Sequence, residues 1–223
     1  MRPSSHRRFE HESLRVLLVH GLGRTPLSLQ GLARTLRRAG HRTTLFGYYA
    51  FAEHYDRIVA RLASKLRAMA RTPQPVALIG HSLGGLLLRH ALPEAPDLRV
   101  RRLIMLGTPN QPPRLAVRAN RWLPFRVFTR SCGSLLATPG AFARIPPPAV
   151  PYTLVAGTAG RRRVPGPFGR EPNDGVIAVS ETLVDMDDQP HLLPVRHTFM
   201  MNDVRLQRLV LELLGKAEEN LDA

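Results

Sequence analysis

Val76-Ala77-Leu78-Ile79-Gly80-His81-Ser82-Leu83-Gly84-Gly85 runs from an apolar segment into a serine set between glycines. Val76 to Ile79 has the length and content of a buried strand. Gly85-Leu86-Leu87-Leu88-Arg89-His90-Ala91-Leu92 follows at once and reads as an apolar helix. A serine on a sharp strand-to-helix turn has a strained backbone and an exposed hydroxyl. Side chains at Gly80 and Gly84 would collide with the turned strand and helix. Three fixed residues recur by chance in any proteome; the strand before them and the helix after them give the motif its weight.

Working outward, strands and helices alternate. Arg15 to Val19 reads as a first strand and Arg42 to Phe46 as a second. Between them, Pro26 to Gly40 places Leu29, Leu32, Ala33 and Leu36 on one helical face. Glu53 to Ala70 is a long helix whose buried stripe is Ile58, Leu62, Lys65/Leu66 and Met69. Arg101 to Leu106 is the strand after the serine turn, followed by Gly107-Thr108-Pro109-Asn110. Residues 111–151 are proline-rich, contain Trp122 and show no sustained period, so they read as an insertion of loop and short helix. Tyr152 to Gly157 resumes the pattern, His191 to Val195 is a last strand and Asp203 to Leu214 a closing helix. Such alternation predicts a mostly parallel sheet with helices on both faces. Residues 1–14 form a polar lead, and 15–223 a single domain carrying the insertion.

Composition narrows the classes. At 223 residues and 43% hydrophobic content the chain fits one soluble globular domain. No apolar stretch approaches the ~20 residues of a membrane span, and the first residues lack the apolar core of a secretory signal. Cys132 is the only cysteine, so no intramolecular disulfide forms; together these features point to the cytoplasm. A net charge of +15 raises nucleic acid as a partner. Nearly every basic residue is arginine, however, with lysine only at Lys65 and Lys216, aromatics are few, and no nucleic-acid motif accompanies the charge. No nucleic-acid partner is therefore expected. A weak attraction to anionic membrane surfaces or anionic substrates is the remaining reading of the charge.

Four segments carry a resemblance: His20-Gly21-Leu22-Gly23, Gly80-His81-Ser82-Leu83-Gly84-Gly85, Asn173-Asp174-Gly175-Val176 with Val179-Ser180, and His197. Together they resemble the oxyanion loop, the serine turn, the acid segment and the base of the bacterial lipase/esterase branch of the α/β-hydrolases, across Arg15 to Leu214. Gly107-Thr108-Pro109-Asn110 resembles the turn after that family's next strand. The resemblance implies an α/β-hydrolase fold and ester hydrolysis by a Ser-His-Asp triad in the chain order serine, acid, histidine.

A serine hydroxyl needs a base to take its proton, and the base needs a carboxylate to orient it. After Ser82 the histidines are His90, His191 and His197. His90 lies within the helix that follows the serine, and His191 opens the last strand at the wrong end of the sheet. His197 follows that strand at its carboxyl end, where such sheets place their sites, and is the candidate base. Asp174 is the candidate acid, since Gly175 permits the tight backbone that aims a carboxylate inward. Asp185, Asp187 and Asp188 are the rivals and read as a solvated acidic turn. The oxyanion donors implied are the backbone N–H groups of Leu22 and Leu83. His20 and His81 read as scaffold rather than as further bases, and Cys132 as structural.

The expected activity is cleavage of a small-molecule or lipid carboxylic ester through an acyl-enzyme, with an apolar acyl pocket lined by part of residues 111–151. No cofactor and no metal are expected, and the insertion is too short for a large lid. Two alternatives remain open at this point: an acyltransferase or thioesterase using the same residues, and a catalytically silent protein binding a lipid or partner.

Overall fold

The computed structural model describes residues 13–215. Six strands form one sheet: β1 (Arg15–Val19), β2 (Arg42–Phe46), β3 (Val76–His81), β4 (Val100–Leu106), β5 (Tyr152–Gly157) and β6 (His191–Leu193). Their order is β2-β1-β3-β4-β5-β6, and every neighbouring pair is parallel. The expected sheet is thus present, and it is wholly rather than mostly parallel.

Strand alternation sorts the core into two layers. Leu17, Val19, Val76, Leu78, Leu103 and Met105 face one way, into a core with α2 (Tyr55–Ala70) and α3 (Leu83–Ala91). Val16, Leu18, Ala77, Ile79, Ile104 and Leu106 face the other way, against α1 (Gln30–Arg38) and α7 (Val204–Gly215). Near-continuous apolar strands are what a parallel sheet covered on both faces requires. In α1 the expected face, Leu32, Ala33 and Leu36, is fully buried. The turn before it, Pro26–Leu29, is 3₁₀ rather than α, with the proline at its start.

Two expectations need correction, and the β5–β6 connection has a feature of its own. Residues 111–151 are mostly helical, forming α4 (Arg114–Ala119), α5 (Leu123–Ala137) and α6 (Pro139–Phe142). Their periodicity is hidden because α5 is interrupted at Arg130, whose φ of 45° is not helical. The last strand stops at Leu193, and Pro194, which carries no N–H donor, follows it. The β5–β6 connection contains no α-helix, only a 3₁₀ turn at Ser180–Thr182. Of the polar lead, residues 1–12 lie outside the described residues. Leu14 is buried, and Ser13 hydrogen-bonds the Gly40 carbonyl.

Candidate active site

Ser82 sits between β3 and α3 with φ 53° and ψ −125°. A positive φ on a non-glycine residue costs of order 1–3 kcal/mol and persists only where the surroundings fix it. Here the Ser82 N–H is anchored to the Leu106 carbonyl at the end of β4 (2.9 Å). The flanking glycines are needed for close approach. A Cβ at Gly84 would lie 2.2 Å from the Val19 carbonyl oxygen, and one at Gly80 2.4 Å from the Gly85 backbone.

Asp174 is held in a tight turn after β5. Its Oδ1 accepts the N–H groups of Val176 (2.9 Å) and Ile177 (2.7 Å). Gly175, at φ 96°, supplies the left-handed residue this turn demands. The neighbouring Asn173 is fully buried and braces the same turn, accepting the Gly175 N–H and donating to the Glu171 carbonyl. With Oδ1 so occupied, Oδ2 is left for His197, whose Nδ1 lies 2.6 Å away. The His197 N–H also donates to the Asp174 carbonyl (3.0 Å). Both side chains are almost entirely buried. Donation from Nδ1–H fixes the tautomer that leaves Nε2 free to accept a proton.

The loop after β1 closes as a turn, Arg24 N–H to Gly21 carbonyl (3.3 Å), with Gly23 at φ 66°. Leu22 from this loop borders the same cavity as Ser82 and His197. Leu83 opens α3, where the first N–H groups of a helix lack intrahelical partners. The His20 ring stacks on Tyr48 at 4.2 Å, hydrogen-bonds the Gly21 carbonyl and accepts the Tyr48 N–H. Burial pushes its pKa down, so it is a neutral brace of the loop, as its sequence position implied.

The cavity has a volume of about 280 Å³. Ser82, His81 and His197 line it, together with the apolar Pro113, Leu115, Ala116, Ala119, Phe125 and Leu136 of the insertion. The expected lining by residues 111–151 is therefore present. Arg114 ties this lining to the loop carrying Asp174, through Glu171 (2.6 Å) and the buried Glu181 (2.7 Å).

The rejected candidates lie elsewhere. His90 contacts the Tyr55 hydroxyl (3.3 Å). His191 is exposed. Asp188 accepts the Tyr152 hydroxyl (2.7 Å) at the start of β5, the opposite end of the sheet from His197, and Asp185 and Asp187 are exposed beside it. Cys132 is buried, with its thiol pushed up to about 12 by desolvation. Among the described residues no group of three or more His, Cys, Asp or Glu is placed to hold a metal ion.

Two positions take contacts that the sequence reading did not specify, although it read His81 as scaffold and singled out the turn at Gly107. His81 donates from Nε2 to the His197 carbonyl (3.1 Å), with ring centroids 4.8 Å apart. Gly107, at φ 53°, lies under the Asp174–His197 pair; a Cβ there would stand 3.1 Å from His197 Nδ1 and 3.2 Å from Asp174 Oδ2. The conspicuous Gly107-Thr108-Pro109-Asn110 turn was the available signal for the second. Nothing in the sequence tells which carbonyl His81 reaches.

The model of a family described as the alpha/beta hydrolase family matches residues 16–215. The fold is similar to that of the lipase BlEst2 of Bacillus licheniformis in mature form, at a TM-score of 0.71 and 18% identity, over 91% of this chain and 92% of that one. It is also similar to a structure of the metagenome-derived lipolytic enzymes LipS and LipT, at 0.62 and 16%, over 90% and 93%. Tomato methylketone synthase I complexed with 2-tridecanone matches at 0.62 and 13%, over 92% and 99%. At these identities the likeness is one of fold. In sequence, no curated protein matches this chain.

Proposed function

Because the chain belongs to the alpha/beta hydrolase family, we propose that it is a serine hydrolase that cleaves carboxylic esters. The observation that carries this reading is the 2.6 Å contact between His197 Nδ1 and Asp174 Oδ2, with His197 and Ser82 lining the same cavity.

In the proposed reaction, Ser82 Oγ attacks the ester carbonyl carbon while His197 Nε2 takes the hydroxyl proton. The carbonyl oxygen gains the negative charge, and the N–H groups of Leu22 and Leu83 are the donors assigned to it. Asp174, held by two backbone N–H groups, stabilises the imidazolium. The tetrahedral intermediate collapses, His197 gives its proton to the departing alkoxide, and an acyl-serine remains. Water then attacks the acyl carbon as His197 takes one of its protons; the second tetrahedral intermediate expels Ser82 Oγ, which recovers that proton from His197, and the carboxylic acid leaves. The apolar wall from Pro113 to Leu136 is assigned to the acyl chain, since it offers buried hydrocarbon and few polar groups.

The likeness to lipolytic enzymes supports an ester as the substrate class. Methylketone synthase I shows that the fold alone does not dictate one reaction; the assignment here rests on the residues. A fluorophosphonate probe tests it directly. Labelling of the wild type at Ser82, absent in Ser82→Ala, together with loss of p-nitrophenyl ester turnover in that variant, is expected. An unlabelled but folded wild type overturns the reading.

A further inference from the structure

The outward face of the insertion has a chemistry that water does not favour. Trp122 and Phe128 are each 70% exposed, Leu123 67% and Val127 58%. The other side of α5 buries Thr129 and turns Phe125 and Leu136 toward the cavity. The segment is thus apolar on both sides, one serving the cavity and one facing solvent. A contiguous exposed apolar patch marks a surface that meets something else.

The surrounding charge identifies what. Arg118, Arg121, Arg126 and Arg130 are exposed, and none is ion-paired among the described residues. Arg114, on the same insertion, is by contrast held between two glutamates. Every charged residue between Asp97 and Glu171 is an arginine. A second copy of the chain would bring these unpaired cations together, which like-charge repulsion opposes. An anionic bilayer meets both demands at once. Guanidinium groups bind lipid phosphates, while tryptophan and phenylalanine bury their rings at the headgroup boundary. The location agrees, because Leu27, Phe51 and Phe199, also exposed, lie in the segments that follow β1, β2 and β6 at the same carboxyl edge.

We propose that this edge of the molecule docks on anionic phospholipid bilayers, with Trp122, Leu123, Val127 and Phe128 entering the headgroup boundary and the four arginines holding lipid phosphates. Docking sets the wall of the cavity against the membrane. It is independent of the ester chemistry: a protein that fails to dock still turns over a soluble ester if the proposed reaction is right.

Trp122 is the only tryptophan in the chain, so its emission reports the event directly. The protein is mixed at low salt with vesicles of non-hydrolysable diether lipids, either phosphatidylcholine alone or with 30% phosphatidylglycerol. A blue shift of Trp122, quenched by brominated acyl chains, is expected on the anionic vesicles only and is weakened by raised salt. Arg118→Glu with Arg121→Glu and Arg126→Glu lowers the partition coefficient roughly tenfold or more. Leu123→Ala with Phe128→Ala lowers it without changing the salt dependence. These residues are exposed, and circular dichroism checks the fold. No shift on either vesicle overturns the proposal, as does equal binding to both. A concentration-dependent shift without lipid also overturns it, and assigns the face to self-association.

Discussion

The imidazole of His81 hydrogen-bonds the main-chain carbonyl of His197 at 3.1 Å, so the residue immediately before Ser82 clamps the segment bearing the proposed base. The two rings lie 4.8 Å apart. Nε2 donates here, which leaves Nδ1 of His81 unprotonated and, among the described residues, buried without a hydrogen-bond partner. The clamp therefore uses one face of the ring only. It ties the end of strand β3 to the 3₁₀ turn His197–Asn202.

Replacing His81 tests that clamp. His81→Phe keeps the ring volume and removes the donor, and His81→Gln restores an N–H near the Nε2 position. A lost hydrogen bond of this kind is worth about 0.5–1.5 kcal/mol. His81→Phe is expected to lower kcat for a soluble ester about two- to tenfold with little change in KM, and His81→Gln to recover part of the loss. Equal kcat for Phe and wild type removes the positioning role.

The backbone plan was legible from the sequence because its signals are local. β1, β3, β4 and β5, of five to seven residues, are apolar enough to be read from their own sequence, whereas the three-residue β6 was read too long. The serine turn was legible because close packing leaves only glycine at positions 80 and 84. Asp174 and His197 were legible from their place after strands. The helix α5 was not, since the break at Arg130 splits one helical face into two short pieces with no common phase. The roles of His81 and Gly107 depend on contacts across more than 60 residues of sequence, which no window of pattern can hold.

Asp174 and Asp188 separate catalysis from stability. Among the carboxylates of the described residues, only Asp174 hydrogen-bonds the His197 ring, whereas Asp188 holds the N–H groups of Val184 and Asp185 and the Tyr152 hydroxyl. Asp174→Asn is expected to cut kcat about 10⁴-fold, the scale of losing the acid in a Ser-His-Asp relay. Asp188→Asn is expected to leave kcat within about twofold and to lower unfolding stability by about 1–2 kcal/mol. Steady-state kinetics and urea melts of the two variants decide it, and the reverse pattern would move the acid.

Gly107→Ala strikes both quantities at once. The added methyl would lie 3.0 Å from Met200 Cε and little farther from the Asp174–His197 pair, at a φ of 53° that disfavours any side chain. A stability loss of about 1–3 kcal/mol is expected from the backbone conformation. Displacement of the pair should lower kcat at a temperature where the variant is still folded. A variant with normal kcat and reduced Tm would show that the pair tolerates a shift of a few tenths of an ångström.

Acid should unfold this protein earlier than its carboxylates alone would dictate. Burial holds the pKa of His81 well below its ordinary value, with the neighbouring His197 adding to the depression; burial likewise lowers His20. In the unfolded chain both titrate near 6.5. Below that pH the unfolded state binds protons that the folded state refuses, so stability falls as pH falls. Each histidine contributes a slope of up to about 1.4 kcal/mol per pH unit, beginning near pH 6.5 and ending at its folded pKa. Above pH 7.5 both are neutral in either state and contribute no slope. Urea melts of wild type and His81→Gln between pH 5 and 8 measure this. The variant is expected to lose about one proton's worth of slope below pH 6.5. Identical slopes would mean that His81 takes up its proton in the folded state, and that the clamp on His197 survives as an imidazolium.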